Sequence, residues 1–312
     1  MATADLYRRF AETEARGWSP TYEDWALGVA GDAELLTLLD DVPVPQPNLL
    51  FAAARHVGIP AGPFPAFRQA LRDRWPDVRA VMLTQRTQTN EPGRCAVLLP
   101  LLAALPQPLA LLEVGASAGL CLYPDRYGYR YPDHPHLNPR SPVVLDCAVT
   151  GPAPLPDTLP TVVWRAGIDL NPLDVTDQDD VRWLEALIWP EHDHRRTRLA
   201  AAVEIARADP PRLVTGDLNA QLTALAATAP RDATLVVFHS AVLAYLSQDD
   251  RAAFVETVTN LDAHWIANEG PGVFPVDAPP SPEPGRALFL VTLDGEPRAY
   301  AAGHGQSLHW LS

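Results

Sequence analysis

The stretch Leu109–Leu120, L-A-L-L-E-V-G-A-S-A-G-L, is the strongest constraint on how this chain folds. An apolar run closes on Glu113 and then meets Gly115, Ser117 and Gly119. This is the pattern of a strand entering a tight glycine turn and then a helix. Two chemistries use such a turn. In a nucleotide-type cofactor loop, glycines let the backbone approach the ligand and an acid stands at the strand end. In a nucleophile elbow, G-x-S-x-G exposes a serine, and Gly115–Gly119 matches that pattern as well.

The surroundings bear on the choice. Residues 1–106 carry helical apolar spacing, for example over Leu49–His56 and Phe64–Arg74, and no strand precedes Leu109. The polar stretch Gln88–Glu91 opens an apolar helix, with Thr89 or Asn90 suited to its N-cap and Pro92 to its first turn. From Leu109 onward short apolar runs alternate with helical segments. Strands are expected at Leu109–Val114, Thr161–Ile168, Leu213–Thr215, Thr234–Phe238, His264–Ala267 and Ala287–Leu293. Asp294-Gly295 then turns the chain back into a further strand at Arg298–Ala301. Strands alternating with helices predict an α/β chain with a mostly parallel sheet. Tyr127, Tyr129 and Tyr131 alternate with smaller or polar residues ahead of Pro142–Cys147, which predicts an inserted hairpin at about 127–150. The expected organisation is a helical cap region, 1–106, followed by an α/β domain, 107–312.

A nucleophile elbow needs earlier strands to supply its oxyanion loop, and none is seen. The order Ser117, Asp294, His304 leaves a serine hydrolase as the lesser alternative. For the cofactor loop, Asp169 ends the second strand, where an acid grips ribose hydroxyls, with Leu170 beside it. Asp217 ends the third, followed by Leu218. Asp146 competes with Asp169 as the second acid. As packing alone, Asp169 and Asp217 read as helix N-caps.

The set E-V-G-A-S-A-G, G-I-D-L-N-P, T-G-D, L-V-V-F and the late hairpin resembles the S-adenosylmethionine-dependent methyltransferases with a Rossmann-like sheet. The resemblance implies strand order 3-2-1-4-5-7-6 with strand seven antiparallel. More narrowly the chain resembles bacterial proteins catalogued as domain of unknown function 2332. The segments carrying this are Gln88–Glu91, L-L-E-V-G-A-S-A-G-L, V-V-W-R-A-G-I-D-L-N-P-L-D-V, V-V-F-H-S-A-V-L-A-Y-L and W-I-A-N-E-G. The methyltransferase resemblance implies S-adenosylmethionine over Gly115–Gly119, held by Glu113, Gly115, Ser117, Gly119, Asp169, Leu170, Asp217, Leu218 and His239. Ser117 stands where that family's loop usually has its middle glycine.

Ligands of open parallel sheets sit beyond the strands' carboxyl ends. There, His239 is the candidate base, with Glu269 and Tyr245 as further catalytic candidates. Gln88, Asn90, Arg94, Ser240, Asn268 and His304 are candidates for binding a small-molecule acceptor. The plainer reading makes His239 a helix cap or a buried ring, and Glu269 a loop carboxylate. The tyrosines from Tyr123 to Tyr131 read either as a pocket wall or as a packing face. The expected function is thus methyl transfer, with a non-catalytic nucleotide- or metabolite-binding protein as the alternative.

Composition removes other classes. A net charge of −14 disfavours nucleic acid as a partner. Three cysteines without a C-x-x-C pair suggest a reducing compartment. The N-terminus lacks a signal peptide's apolar core, and the longest apolar stretch, Cys95–Leu105, is interrupted by Pro100 and too short to span a bilayer. A cytoplasmic protein with no membrane partner is expected. His134/His136 and His192/His194 lack a second pair at zinc-like spacing, so no metal is expected.

Overall fold

A computed structural model describes residues 2–88 and 90–311. Thr89, one of the two N-cap candidates, lies outside the described residues. Six helices come first: α1 (Thr3–Phe10), α2 (Pro20–Gly31), α3 (Ala33–Asp40), α4 (Pro47–His56), α5 (Phe64–Asp73) and α6 (Trp75–Thr84). Then come α7 (Cys95–Ala104), β1 (Leu109–Val114), β2 (Gly128–Arg130), β3 (Val144–Asp146), β4 (Ala148–Thr150) and β5 (Val162–Asp169). The remainder is α8 (Gln178–Leu187), α9 (Asp193–Ala208), β6 (Arg212–Thr215), α10 (Leu218–Ala226), β7 (Thr234–Ser240), α11 (Gln248–Thr259), β8 (His264–Glu269), β9 (Leu288–Leu293), β10 (Glu296–Ala302) and β11 (Ser307–Trp310).

The chain forms two compact units, Met1–Thr89 with Thr176–Thr197, and Asn90–Val175 with Arg198–Ser312. The sequence reading placed one boundary at 106. Two physical features put it elsewhere. Helix α7, C-A-V-L-L-P-L-L-A-A, has no polar face, so it is buried from Cys95 to Leu102 and belongs with the sheet. Helix α8 instead serves the helical unit, where Arg55 of α4 donates Nη1 to the Ala186 carbonyl (3.0 Å) and to that of Ile188. Trp183 of α8 meets the His56 ring edge to face at 5.7 Å.

Phe51 on α4 is the hub of the helical unit's core. Tyr7, Phe10, Tyr22, Trp25 and Phe67 all place rings within 6.1 Å of it, and Trp25 stacks on Phe67 at 3.9 Å. Contacts of this kind add to the area buried by each ring. Helix starts follow capping rules: Ser19 accepts from the Tyr22 amide ahead of Pro20, and Asp32 accepts from those of Glu34 and Leu35.

In the second unit one nine-stranded sheet has the order β4-β11-β10-β9-β8-β7-β1-β5-β6. From β6 to β8 every pairing is parallel, and β1, buried along its whole length, is central to that half. Beyond β8 the expected 7-6 exchange is absent. β9 lies antiparallel beside β8, β10 beside β9 and β11 beside β10, a meander in sequence order. The short β9–β10 turn explains this, because Asp294 (φ 54°) and Gly295 (φ 81°) form a tight two-residue hairpin.

Two further expectations are corrected. No α-helix follows the glycine turn after β1; only the single 3₁₀ turn Leu120–Leu122 does. The insertion is also not a hairpin, since β2 and β3 pair in parallel and β4 joins the main sheet beside β11. Its tyrosines form the packing face. Tyr123, Tyr127, Tyr129 and Tyr131 are buried, and each hydroxyl donates to a backbone carbonyl, of Asp209, Leu120, Pro124 and Ala96 respectively.

The last of these bonds repairs a defect in α7. The Ala96 carbonyl would accept from residue 100, but Pro100 has no amide hydrogen. The Tyr131 hydroxyl takes that place at 2.7 Å. Tyr131→Phe should therefore orphan a buried carbonyl and lower stability by about 1–3 kcal/mol in denaturant unfolding. The same substitution in a Pro100→Ala background, where the helix bond is restored, should lose most of that effect. Equal losses in both backgrounds would disprove the replacement.

Candidate functional site

The carboxyl ends of β5, β1 and β7 come together where strand order reverses, since β5 and β7 flank β1 on opposite sides. Open α/β sheets place ligands at this position. Three loops form the rim, Gly115–Gly119 after β1, Leu170–Asn171 after β5 and Ala241–Tyr245 after β7.

The glycine loop is tied down within the protein. Gly115 and Ala116 amides donate to the Ile168 carbonyl, that of Ser117 to Asp169 Oδ2 (2.7 Å), that of Gly119 to the Ala116 carbonyl and that of Leu120 to Asn90 Oδ1 (2.9 Å). Asn90 Nδ2 also donates to the Ala116 carbonyl, so this side chain clamps the loop from one side as Asp169 does from the other. The glycines are needed for close packing. A Cβ on Gly115 (φ 70°) would lie 2.4 Å from the Val242 side chain, and one on Gly119 (φ 71°) would lie 2.9 Å from Pro211. Ser117 occupies the left-handed region at φ 51°, is buried, and its Oγ has no hydrogen-bond partner. The hydrolase constellation is not assembled: Asp294 accepts from the Trp265 amide and meets His264 Nδ1 at 2.7 Å.

His239, Glu269 and Tyr245 have separate fates. His239 is fully buried; Nδ1 meets Glu269 Oε1 at 2.7 Å and Nε2 accepts from the Trp265 indole at 2.9 Å. An indole nitrogen can only donate, so the proton lies on Nδ1 and both ring nitrogens are engaged. His239 is therefore a buried strut and not a rim base. Glu269 Oε1 also accepts the amides of Val242 (2.7 Å) and Leu243 (3.1 Å). Burial pushes this carboxyl up, but the His239 bond and the two amides outweigh it and hold it below the ordinary range. Tyr245 projects into solvent, 82% exposed.

Among the cofactor candidates, Asp217 is an exposed N-cap accepting from the Ala220 amide, and Leu218 is buried in the first turn of α10. Leu170 stands out at the rim, 75% exposed directly after Asp169. Glu113 is buried at the end of β1 with Oε2 lacking a hydrogen-bond partner. Burial pushes its carboxyl well above the ordinary range; Cys121 and Asp169 push the same way and Arg94 opposes them.

The acceptor candidates are placed as follows. Arg94 is buried and donates to the carbonyls of Gly303 (3.0 Å) and Ser240 (3.1 Å). Asn268 Nδ2 donates to Ser240 Oγ at 3.2 Å. His304 lies in the turn between β10 and β11, with its amide on Gln306 Oε1. Gln88 belongs to the helical unit. Glu91, not Asn90, caps the turn before α7, through the Gly93 amide, and it pairs with Arg198 at 2.9 Å. Among the described residues no group of three or more His, Cys, Asp or Glu is arranged to hold a metal ion.

Sequence reasoning missed Trp265 and Val242. The signal for Trp265 was available: alternation along β8 puts Trp265 and Glu269 on one face. Val242 had none, since its role depends on the left-handed Ala241 (φ 57°) that turns the chain toward Gly115.

The Glu113 carboxyl is protonated in the fold at pH values where it ionises in the unfolded chain. Its favourable contribution is thus complete below the unfolded value near 4.5 and is lost as pH rises through the folded value. Glu113→Gln removes this loss. Relative to the parent, the variant should gain thermal stability progressively as pH rises above the unfolded value near 4.5. A melting-temperature difference that does not vary with pH would refute the assignment.

No helix of the described residues is long and apolar enough to cross a membrane. No curated protein matches the chain. The family model described as "Uncharacterized protein conserved in bacteria (DUF2332)" matches residues 4–310, and the chain belongs to that family.

Proposed function

We propose that this chain is a methyltransferase-type enzyme that binds S-adenosylmethionine over the carboxyl ends of β5, β1 and β7. One observation carries the reading: Glu113, a buried carboxyl with an unpartnered oxygen, ends the central parallel strand at the point where strand order reverses. The exposed Leu170 supplies an apolar surface for a nucleobase on the neighbouring loop.

The chemistry of the loop favours this ligand over a dinucleotide. A pyrophosphate needs free amides and a helix N-terminus. Here the amides of Gly115, Ala116, Ser117, Gly119 and Leu120 already donate within the protein, and no α-helix follows. An ammonium group needs acceptors, and Glu113 offers one. A cation beside Glu113 would favour its ionised form. When bound, S-adenosylmethionine supplies an electrophilic methyl group. The protein's part is to orient: Asp169 and Asn90 fix the glycine loop, and Glu269 fixes the loop after β7. With His239 and Glu269 engaged in that support, catalysis rests on positioning.

That engagement also favours a second reading, a non-catalytic nucleoside-binding protein, because both ring nitrogens of His239 are taken and Glu269 is buried with three hydrogen bonds converging on its Oε1. Calorimetric titration and thermal unfolding with S-adenosylmethionine and with methylthioadenosine, which lacks the amino-acid part, separate the cases. Saturating ligand at ~100 times its dissociation constant should add about 2.7 kcal/mol of stability. Glu113→Gln should weaken S-adenosylmethionine at least ~10-fold, about 1.4 kcal/mol, and leave methylthioadenosine nearly unchanged. Equal binding of both, indifferent to Glu113, supports the second reading. No binding of either overturns the rim site.

A further inference from the structure

The helical unit contains a cavity of about 410 Å³ lined by Arg55, His56, Ile59, Arg182, Glu185 and Arg196, among others. This is a volume suited to a small molecule. The cavity lies wholly within that unit, so it is independent of the rim reading. Its wall is made by the end of α4 and the turn after it, the last turn of α8, and the start of α9.

The cationic groups in this wall are incompletely compensated. The chain has 24 basic residues, all of them arginine, and 38 acidic ones. Arg182 has Asp179 and Arg196 has Asp193. Arg55, half-buried, is in no ion pair with a carboxylate among the described residues; its Nη1 donates to the Ala186 and Ile188 carbonyls. A guanidinium withdrawn from water normally has an anionic partner. His56, beside it, has a side chain only 9% exposed. Its Nε2 lies 3.3 Å from Asp179 Oδ1, while its Nδ1 is buried with no hydrogen-bond partner. On one cavity wall, then, Arg55 has no carboxylate partner among the described residues and the neighbouring His56 keeps a buried ring nitrogen, Nδ1, without a hydrogen-bond partner.

We propose that this cavity is a binding site for a small anionic metabolite, whose phosphate or carboxylate group is held by Arg55 and His56 with Arg182 and Arg196 at its border. Guanidinium groups bind such oxygens in charge-assisted and often bidentate bonds. Ile59 gives the remainder of the ligand an apolar surface, and Glu185 a partner for a hydroxyl or ammonium group.

The test titrates the full chain with inorganic phosphate, and separately with acetate, at constant ionic strength set by chloride. The readouts are calorimetry and the ¹⁵N shifts of the His56 ring. Saturable binding with a dissociation constant of about 1 mM or tighter is expected for one of the two probes, with the His56 Nδ1 resonance moving along the same isotherm. The probe that binds identifies the anion as phosphate or carboxylate. Arg182→Gln, at an exposed position, should retain the parent's unfolding transition and weaken binding ~10-fold. His56→Phe should abolish the effect at similar fold stability. The proposal is overturned if neither probe saturates by about 20 mM, or if binding occurs with His56 silent and both variants unaffected.

Discussion

A single carboxylate oxygen organises the carboxyl rim of the sheet. Glu269 Oε1 collects His239 Nδ1 and the amides of Val242 and Leu243. These amides are at a chain reversal where no strand neighbour can receive them, so without Glu269 they would be buried and unpaired. Held there, the chain adopts the left-handed Ala241 and lays Val242 on Gly115. His239 is in turn fixed by the Trp265 indole, which closes the assembly on its far side. The position of the loop after β7, and the shape of the glycine loop facing it, thus derive from a polar group that touches no solvent.

The second determinant is the replacement of a helix by the insertion after β1. A helix there would have presented free amides and a positive dipole end to a ligand. The chain instead makes one 3₁₀ turn and leaves for β2, and the loop's amides turn inward to Ile168, Asp169, Ala116 and Asn90. What remains at the end of β1 is an unpartnered carboxyl oxygen. The electrostatic preference of the rim is therefore inverted with respect to a phosphate-binding loop. This inversion supports a cationic amino-acid nucleoside as the ligand.

Much of this was legible from residue patterns. Alternating apolar runs located the parallel strands, and Asp294-Gly295 located the hairpin, because period and turn chemistry are local. The boundary at 106 failed because apolar content alone does not say which core a helix enters; the absence of any polar face on α7 was the relevant sign. The insertion was misread because alternating tyrosines look alike in a hairpin and in a parallel pair. Their hydroxyls answer distant needs, among them the carbonyl that Pro100 leaves open. His239 and Glu269 were correctly located at the ends of β7 and β8, but their roles depend on a cross-strand meeting with Trp265 that only the register reveals.

The same reasoning explains why titratable residues near a strand end are poor evidence for catalysis in this fold. A parallel sheet that reverses its strand order leaves several amides at the rim without ladder partners, and some side chain must satisfy them. Asp169, Asn90 and Glu269 do so here for the Ser117, Leu120, Val242 and Leu243 amides. Polar side chains at such positions are thus needed by the backbone before any ligand arrives. The group that identifies a site is the one left over once that need is met. On the rim the atoms left over include Ser117 Oγ, Glu269 Oε2 and Glu113 Oε2, and of the two carboxyls Glu113 is the one that serves no amide and yet remains buried against the preference of a carboxyl for water.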